Sequence, residues 1–313
     1  MINRILCPVD FSDATPFALT PAVSLATEFG GDLILLHVLD HPYPHVGPVV
    51  TDFDLESYYR TIEAKAIKQL DALLDPEVRE YATVRTVVRR GSAFREIVRL
   101  AQEEMPDLVV MPTHARTGLN HMIWGSVAEK VVRLAPCPVM TVSPRQRHPR
   151  VFGARRVLFD TDFSEGSDAA LETAVSFARH YGAELILVHV VTTKDLDPAN
   201  PEWRFPPLPS EHLHQLEARA AERLERMRAS VGNGDIRVRT RLISGFAPGL
   251  EIAAVADDEV ADLVIMSTHG HTGLGHLVVG STAESTVRHS RCPVMTVKRA
   301  SPAVSLDDRG NVS

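Results

Sequence analysis

A stretch of 32 residues occurs twice in this chain, and no other feature narrows the fold as much. Residues 111–142 read MPTHARTGLNHMIWGSVAEKVVRLAPCPVMTV, and residues 266–297 read MSTHGHTGLGHLVVGSTAESTVRHSRCPVMTV. Aligned without gaps at an offset of 155 (266 − 111), 19 of the 32 positions are identical. Agreement over that length marks a duplication, so the chain is built from two copies of one unit. Each copy opens on the end of a short apolar run, 108–111 or 263–266, of the kind buried on both faces of a parallel sheet. A loop follows, carrying Gly270, Gly273 and Gly275 in the second copy. Ser281 and Glu284 then have the S-x-x-E spacing of a capping box, which predicts a helix starting at Ser281. The first N–H groups of that helix would face the loop beside Gly280, where no Cβ blocks an approaching phosphate.

The rest of each half alternates strand and helix patterns. Strands are expected at 5–9, 32–38, 84–88 and 108–111, and helices after Ser12 or Asp13, around 55–73 and at 94–103. Leu55, Tyr58, Ile62, Leu70 and Leu73 mark the inner stripe of the second of these helices. Pro21 predicts a kink or a late start in the first helix. The second half repeats the order, with 157–164 matching 5–12 and Gly182 matching Gly30 at an offset of 152 (182 − 30). Its further elements are expected at 185–190, 210–230, 238–243 and 250–257. Strands that are apolar throughout, separated by helices, give an α/β protein. We expect two similar doubly wound domains, each a five-stranded parallel sheet flanked by helices. The expected division is 1–145, a linker at 146–154, 155–299 and a flexible tail at 300–313. The arginines around the linker read as a solvated connector, and the long inserted loop with Trp203 as an irregular cover.

Composition sets limits on function. With 313 residues, 44% hydrophobic and 23% charged, the chain is an ordinary globular protein with room for two cores. A net charge of −7 argues against nucleic acid as a partner, and no apolar run is long enough to span a membrane. The N-terminus lacks the apolar core of a signal peptide, so a cytoplasmic location is expected. Cys7, Cys137 and Cys292 have neither metal-ligand nor disulfide spacing and read as small buried hydrophobes.

In an open α/β sheet, ligands sit at the carboxyl ends of the strands where strand order reverses. Asp10 and Asp162 end the first strand of each half, and the glycine-bearing loops end the fourth. A carboxylate for ribose hydroxyls facing N–H groups for phosphate is what a nucleoside phosphate needs, and the backbone near Val38 and Val190 could read the base. Asp10 has the simpler reading of a turn cap. Asp160 and Asp162, two apart on a strand, either hold Mg²⁺ beside a phosphate or play a structural role. His114, His121, His269, His271 and His276 read as polar loop linings, and His37 and His189 as core histidines. The P-loop and the G-x-S-x-G elbow are absent from the sequence.

Both halves resemble universal stress protein domains, a Rossmann-like fold of the adenine nucleotide alpha hydrolase type. The family's pattern, G-x2-G-x9-G-[ST], falls on Ser267, Gly270, Gly280 and Ser281, and in the first half on Pro112, Ala115, Gly125 and Ser126. The resemblance implies a stress-response sensor or regulator that binds ATP or AMP. Its expected contacts are Asp162, Val190, Thr268, His269, Gly270, Gly280, Ser281 and Thr282. In the first half they are Asp10, Val38, His114, Gly125 and Ser126. A slow ATPase that uses Asp160 and Asp162 to place Mg²⁺ is a rival reading, with at most weak ATP hydrolysis expected. Pro112 lacks an N–H and Ala115 adds a Cβ, which favours the second site. A scaffold with decayed nucleotide sites is the alternative. The last strands, with Pro138 and Pro293 near their starts, suit edges that meet across a pseudo-two-fold axis, making one chain mimic a dimer. A homodimer of whole chains is an open expectation.

Overall fold

The apolar runs form strands, and all of them join one sheet. The computed structural model describes residues 2–39, 55–113, 124–144, 152–164, 167–192, 210–231, 234–268 and 279–298. In the first half the order is β1 (Arg4–Val9), α1 (Thr15–Phe29), β2 (Asp32–Leu39), α2 (Leu55–Asp71) and the one-turn α3 (Val78–Tyr81). β3 (Thr83–Arg90), α4 (Ala93–Glu104), β4 (Leu108–Pro112), α5 (Ser126–Leu134) and β5 (Val139–Val142) complete it. The second half runs β6 (Arg156–Asp160), α6 (Asp168–Tyr181), β7 (Glu184–Val191), α7 (Ser210–Val231) and β8 (Val238–Ser244). It continues through α8 (Pro248–Asp258), β9 (Leu263–Ser267), α9 (Ser281–His289) and β10 (Val294–Val297).

The strand order is β3-β2-β1-β4-β5-β10-β9-β6-β7-β8, which reads the same for the two halves from either end. Within each half every pair is parallel; β5 and β10 join antiparallel, Met295 opposite Met140. The two last strands therefore meet at the centre, as their proline-flanked ends predicted. Helices cover both faces, which is why the strands are apolar on both. Ala22 and Leu25 of α1, Leu70 of α2, Ala174 of α6 and Leu224 of α7 share one core. Leu100 of α4, Val131 of α5, Ile252 of α8 and Val287 of α9 share the other.

Several local expectations change. Helix α1 starts late, at Thr15, with Ala14 rather than Ser12 or Asp13 as its cap, and it runs past Pro21 to a left-handed Gly30. The Thr15 N–H is held by the Ser12 carbonyl, so Ser12 belongs to the preceding turn. On α2 Leu70 is buried as expected, but earlier in the helix Tyr59 and Ala66 are the buried positions, while Tyr58 is 42% exposed. The end of the linker is not solvated. Phe152 is buried, its N–H donates to Ser24 Oγ of α1 at 2.9 Å, and its ring meets Tyr181 edge-on. The rest of the linker, the loop with Trp203 and the tail lie outside the described residues. Cys7 and Cys137 are buried, and burial pushes all three thiols up to about 12, as expected of packing cysteines.

Candidate functional site

The order of strands creates one reversal point in each half, between β1 and β4 and between β6 and β9. At each, the chain leaves the central strand through a turn of the same construction. Val9 and Thr161 are tied from the side by a histidine of the neighbouring strand. His37 Nδ1 reaches the Val9 carbonyl and His189 Nδ1 the Thr161 carbonyl, both at 2.7 Å. A carbonyl only accepts, so Nδ1 carries the proton in both. His37 and His189 are buried, as expected of core histidines.

The residues after Asp10 and Asp162, Phe11 and Phe163, take left-handed backbone at φ 58° and 60°. A phenylalanine seldom adopts that conformation, and its recurrence in both halves marks the turn as constrained. Each ring lies 4.4 Å from the anchoring histidine. In the second half Arg223 of α7 stacks on Phe163 at 4.3 Å and donates to its carbonyl. Sequence reading overlooked this bracket, although the repeated Asp-Phe-Ser was its signal.

The two carboxylates are used differently. Asp10 Oδ1 accepts from the Ser12 N–H at 3.0 Å, the Ser12 hydroxyl at 2.6 Å and the Thr15 hydroxyl at 3.2 Å. It shapes the turn, the simpler of its two sequence readings. Asp162 Oδ1 accepts from the Ser164 N–H at 3.0 Å, while Ser167, equivalent to Thr15, turns its hydroxyl to the Ser164 carbonyl. β6 ends at Asp160, so Asp160 and Asp162 do not share one regular strand face. Burial, with the nearby charge of Asp162, pushes the Asp160 carboxyl up to about 8. Its counterpart in the first half is Pro8.

Across the crevice, Thr113 and Thr268 follow the fourth strands and are buried. The Thr268 N–H donates to Val297 of β10, and its carbonyl accepts the Gly280 N–H at 2.8 Å. Thr113 and Gly125 repeat both bonds, the second at 2.9 Å. This clip fixes the start of the following helix and overturns the capping box. Gly280 and Gly125 are themselves the N-caps, with φ −60° and −62°, and no side chain caps either helix. Ser281 and Ser126 are first helical residues, and Glu284 reaches forward to Arg288 instead of back. In α9 the first intrahelical N–H is that of Glu284, so those of Ser281, Thr282 and Ala283 point out of the helix end.

A Cβ on Gly280 would stand 3.3 Å from the Thr268 carbonyl oxygen. Trp124, buried just before Gly125, has an Nε1–H with no hydrogen-bond partner among the described residues; Val279 replaces it in the second half. Val38 and Val190, at the ends of β2 and β7, pack on the same face of the sheet as α5 and α9. The strand order thus sets Asp10, Val38 and the Gly125–Ser126 helix start at the carboxyl ends of β1, β2 and β4, and Asp162, Val190, Thr268 and the helix start at Gly280, Ser281 and Thr282 at those of β6, β7 and β9. His114, His269 and Gly270, with His121, His271 and His276, lie outside the described residues. Among the described residues no group of three or more His, Cys, Asp or Glu could hold a metal.

Comparison with known proteins agrees with this architecture. Both halves match the sequence profile of the universal stress protein family, over residues 1–143 and 153–298. The chain is 24% identical over 304 residues to a universal stress protein of Mycolicibacterium smegmatis, covering 94% of this chain and 96% of that one. It is 26% identical over 308 residues to a universal stress protein E homolog of Haemophilus influenzae, covering 95% and 97%. The crystal structure of a universal stress protein from Archaeoglobus fulgidus shares the fold, with a TM-score of 0.68 at 22% identity over 95% of this chain and 96% of that one.

Proposed function

Because the chain belongs to the universal stress protein family, matched twice over nearly its whole length, we propose that its second half binds an adenine nucleotide, ATP or AMP. In this reading the protein is a cytoplasmic sensor or regulator of the stress response, with domains at 1–145 and 155–299, and not a fast catalyst. The observation that carries it is the pairing at the β6/β9 crevice of Asp162 with a glycine-capped helix start. Three N–H groups leave α9 there with no Cβ on the residue before them. A phosphate fits that donor set. Ser281 and Thr282 would hold the phosphate, Asp162 a ribose hydroxyl, and the backbone near Val190 the base.

The first half supports binding less well, since Asp10 already accepts three bonds within its own turn. Slow Mg-dependent ATP hydrolysis through Asp160 and Asp162 has less behind it. A divalent cation needs ionised carboxylates, and the surroundings of Asp160 favour its neutral form. An interaction scaffold without nucleotide is the remaining alternative.

Calorimetry with ATP and AMP on the full chain tests the proposal. Gly280→Val puts a side chain at the phosphate approach, in a backbone conformation that L residues adopt freely. Poorer capping and the 3.3 Å approach of the new Cβ to the Thr268 carbonyl oxygen should together cost about 1–2 kcal/mol, while nucleotide binding is lost; Gly125→Val should leave most of the binding heat in place. Undiminished binding by folded Gly280→Val protein would leave the crevice with an architectural role only.

A further inference from the structure

The strand pairing at the centre of the sheet cannot by itself tell one half of the chain from the other. β5 and β10 have the same sequence, Val-Met-Thr-Val. Their side-chain bonds mirror each other: Thr141 Oγ1 donates to the Val294 carbonyl at 3.1 Å, and Thr296 Oγ1 to the Val139 carbonyl at 3.2 Å. As far as the β5–β10 strand pairing goes, two first halves from different chains, or two second halves, could form it equally well. A determinant of correct pairing must lie where equivalent positions carry unlike residues.

Such a place exists between α1 and α6. At the offset of 152 set by the two helix-ending glycines, Glu28 is equivalent to His180 and Phe29 to Tyr181. These equivalent positions meet. His180 Nε2 lies 2.8 Å from Glu28 Oε1, and the Tyr181 hydroxyl donates to Glu28 Oε2 at 2.6 Å. The Phe29 ring packs on His180 with centroids 4.6 Å apart. The carboxylate only accepts, so the imidazole donates. The contact is sheltered, with the His180 side chain 10% exposed and that of Glu28 30%.

We propose that Glu28, His180 and Tyr181 form a self-recognition surface that selects the unlike half as partner and rejects a second copy of the same half. Two first halves would bring Glu28 against Glu28, with Phe29 offering no hydroxyl in compensation. Two second halves would bring His180 against His180 and leave both Tyr181 hydroxyls without their carboxylate. Only the unlike pair satisfies every group, and the like-charge arrangement works against the wrong one. A second asymmetry points the same way. Lys298 Nζ donates across the seam to the Arg133 and Ala135 carbonyls at the end of α5, at 2.7 and 2.6 Å. The first half has Ser143 in the equivalent place, so two first halves would have no ammonium for these carbonyls.

The test uses the full chain with a protease site introduced between residues 145 and 150. After cleavage, the two pieces are unfolded in urea, refolded together and weighed by native mass spectrometry. The wild-type sequence should give pairs of unlike halves. Glu28→His or His180→Glu makes the two positions alike, and pairs of like halves should rise toward about half of the total, the statistical share when discrimination is lost. Glu28→Gln, a milder change, should raise them in the same direction. The exchange Glu28→His with His180→Glu should restore unlike pairs. If the single variants pair as the wild type does, or the exchange fails to restore selectivity, Glu28 and His180 do not set the choice.

Discussion

Replacing Asp160 by asparagine should make the protein more stable in base while leaving it unchanged in acid. Asp160 ends β6 beside the crevice, and loss of water with the charge of Asp162 moves its carboxyl from an ordinary 3.8 to about 8. The folded state holds this proton more tightly than the unfolded chain does. Between about pH 4 and 8 the folded form is protonated and the unfolded form ionised, so stability falls as pH rises through this window. Below it both states are protonated, and the benefit is fully present. At 1.36 kcal/mol per pH unit, the ceiling on this loss is roughly 6 kcal/mol. Part of the residue's surface is open, so some water reaches it, and we expect about 1–3 kcal/mol. Asparagine has nearly the same shape and no titration. Urea unfolding of both proteins at pH 3, 5, 7 and 9 isolates the effect, because titrating groups other than the neighbouring Asp162 cancel in the difference. The gap should be near zero at pH 3, already open at pH 5 and widest at pH 9, in favour of Asp160→Asn. A gap independent of pH, or a less stable variant at pH 9, would refute the reasoning.

Two further outcomes follow from the start of α9. Gly249→Ala would place a Cβ 2.4 Å from that of Ser285 and 2.6 Å from the Thr282 carbonyl oxygen. It should cost about 1–3 kcal/mol in thermal unfolding, since α8 must move off α9, and weaken nucleotide binding through the displaced helix start. Ser281→Ala should change stability by less than about 0.5 kcal/mol, because this serine caps nothing; a larger loss on urea titration would show that its hydroxyl has a structural role.

The duplication made the fold legible, since each half confirmed the other's strands and the seam followed from proline-flanked edges. Phase and capping were harder to read. Tyr58 and Tyr59, Ala66 and Ile67 offer two apolar stripes on α2, and the choice fell to packing, with Arg90 lying over Tyr59 at 4.5 Å. The spacing of Ser281 and Glu284 is that of a capping box, but a bond between Gly280 and Thr268, twelve residues apart (280 − 268), sets the frame one position earlier. No local pattern encodes that clip. Asp10 and Asp162 were found from their position at the strand ends. Their unequal engagement was not, because it depends on Thr15 in one half and Ser167 in the other. The repeat of Asp-Phe-Ser signalled a turn of fixed construction, but the left-handed backbone of Phe11 and Phe163 within it was not legible, as a phenylalanine gives no hint of such backbone.

The antiparallel join of β5 to β10 has a consequence for how the molecule meets its surroundings. Strands of one half run opposite to those of the other, so the carboxyl ends that line the two crevices lie at opposite margins of a single slab. Whatever docks at one mouth is on the far side from the other. The two crevices thus face opposite ways, and a molecule reaching one would approach from the side of the sheet opposite to a molecule reaching the other.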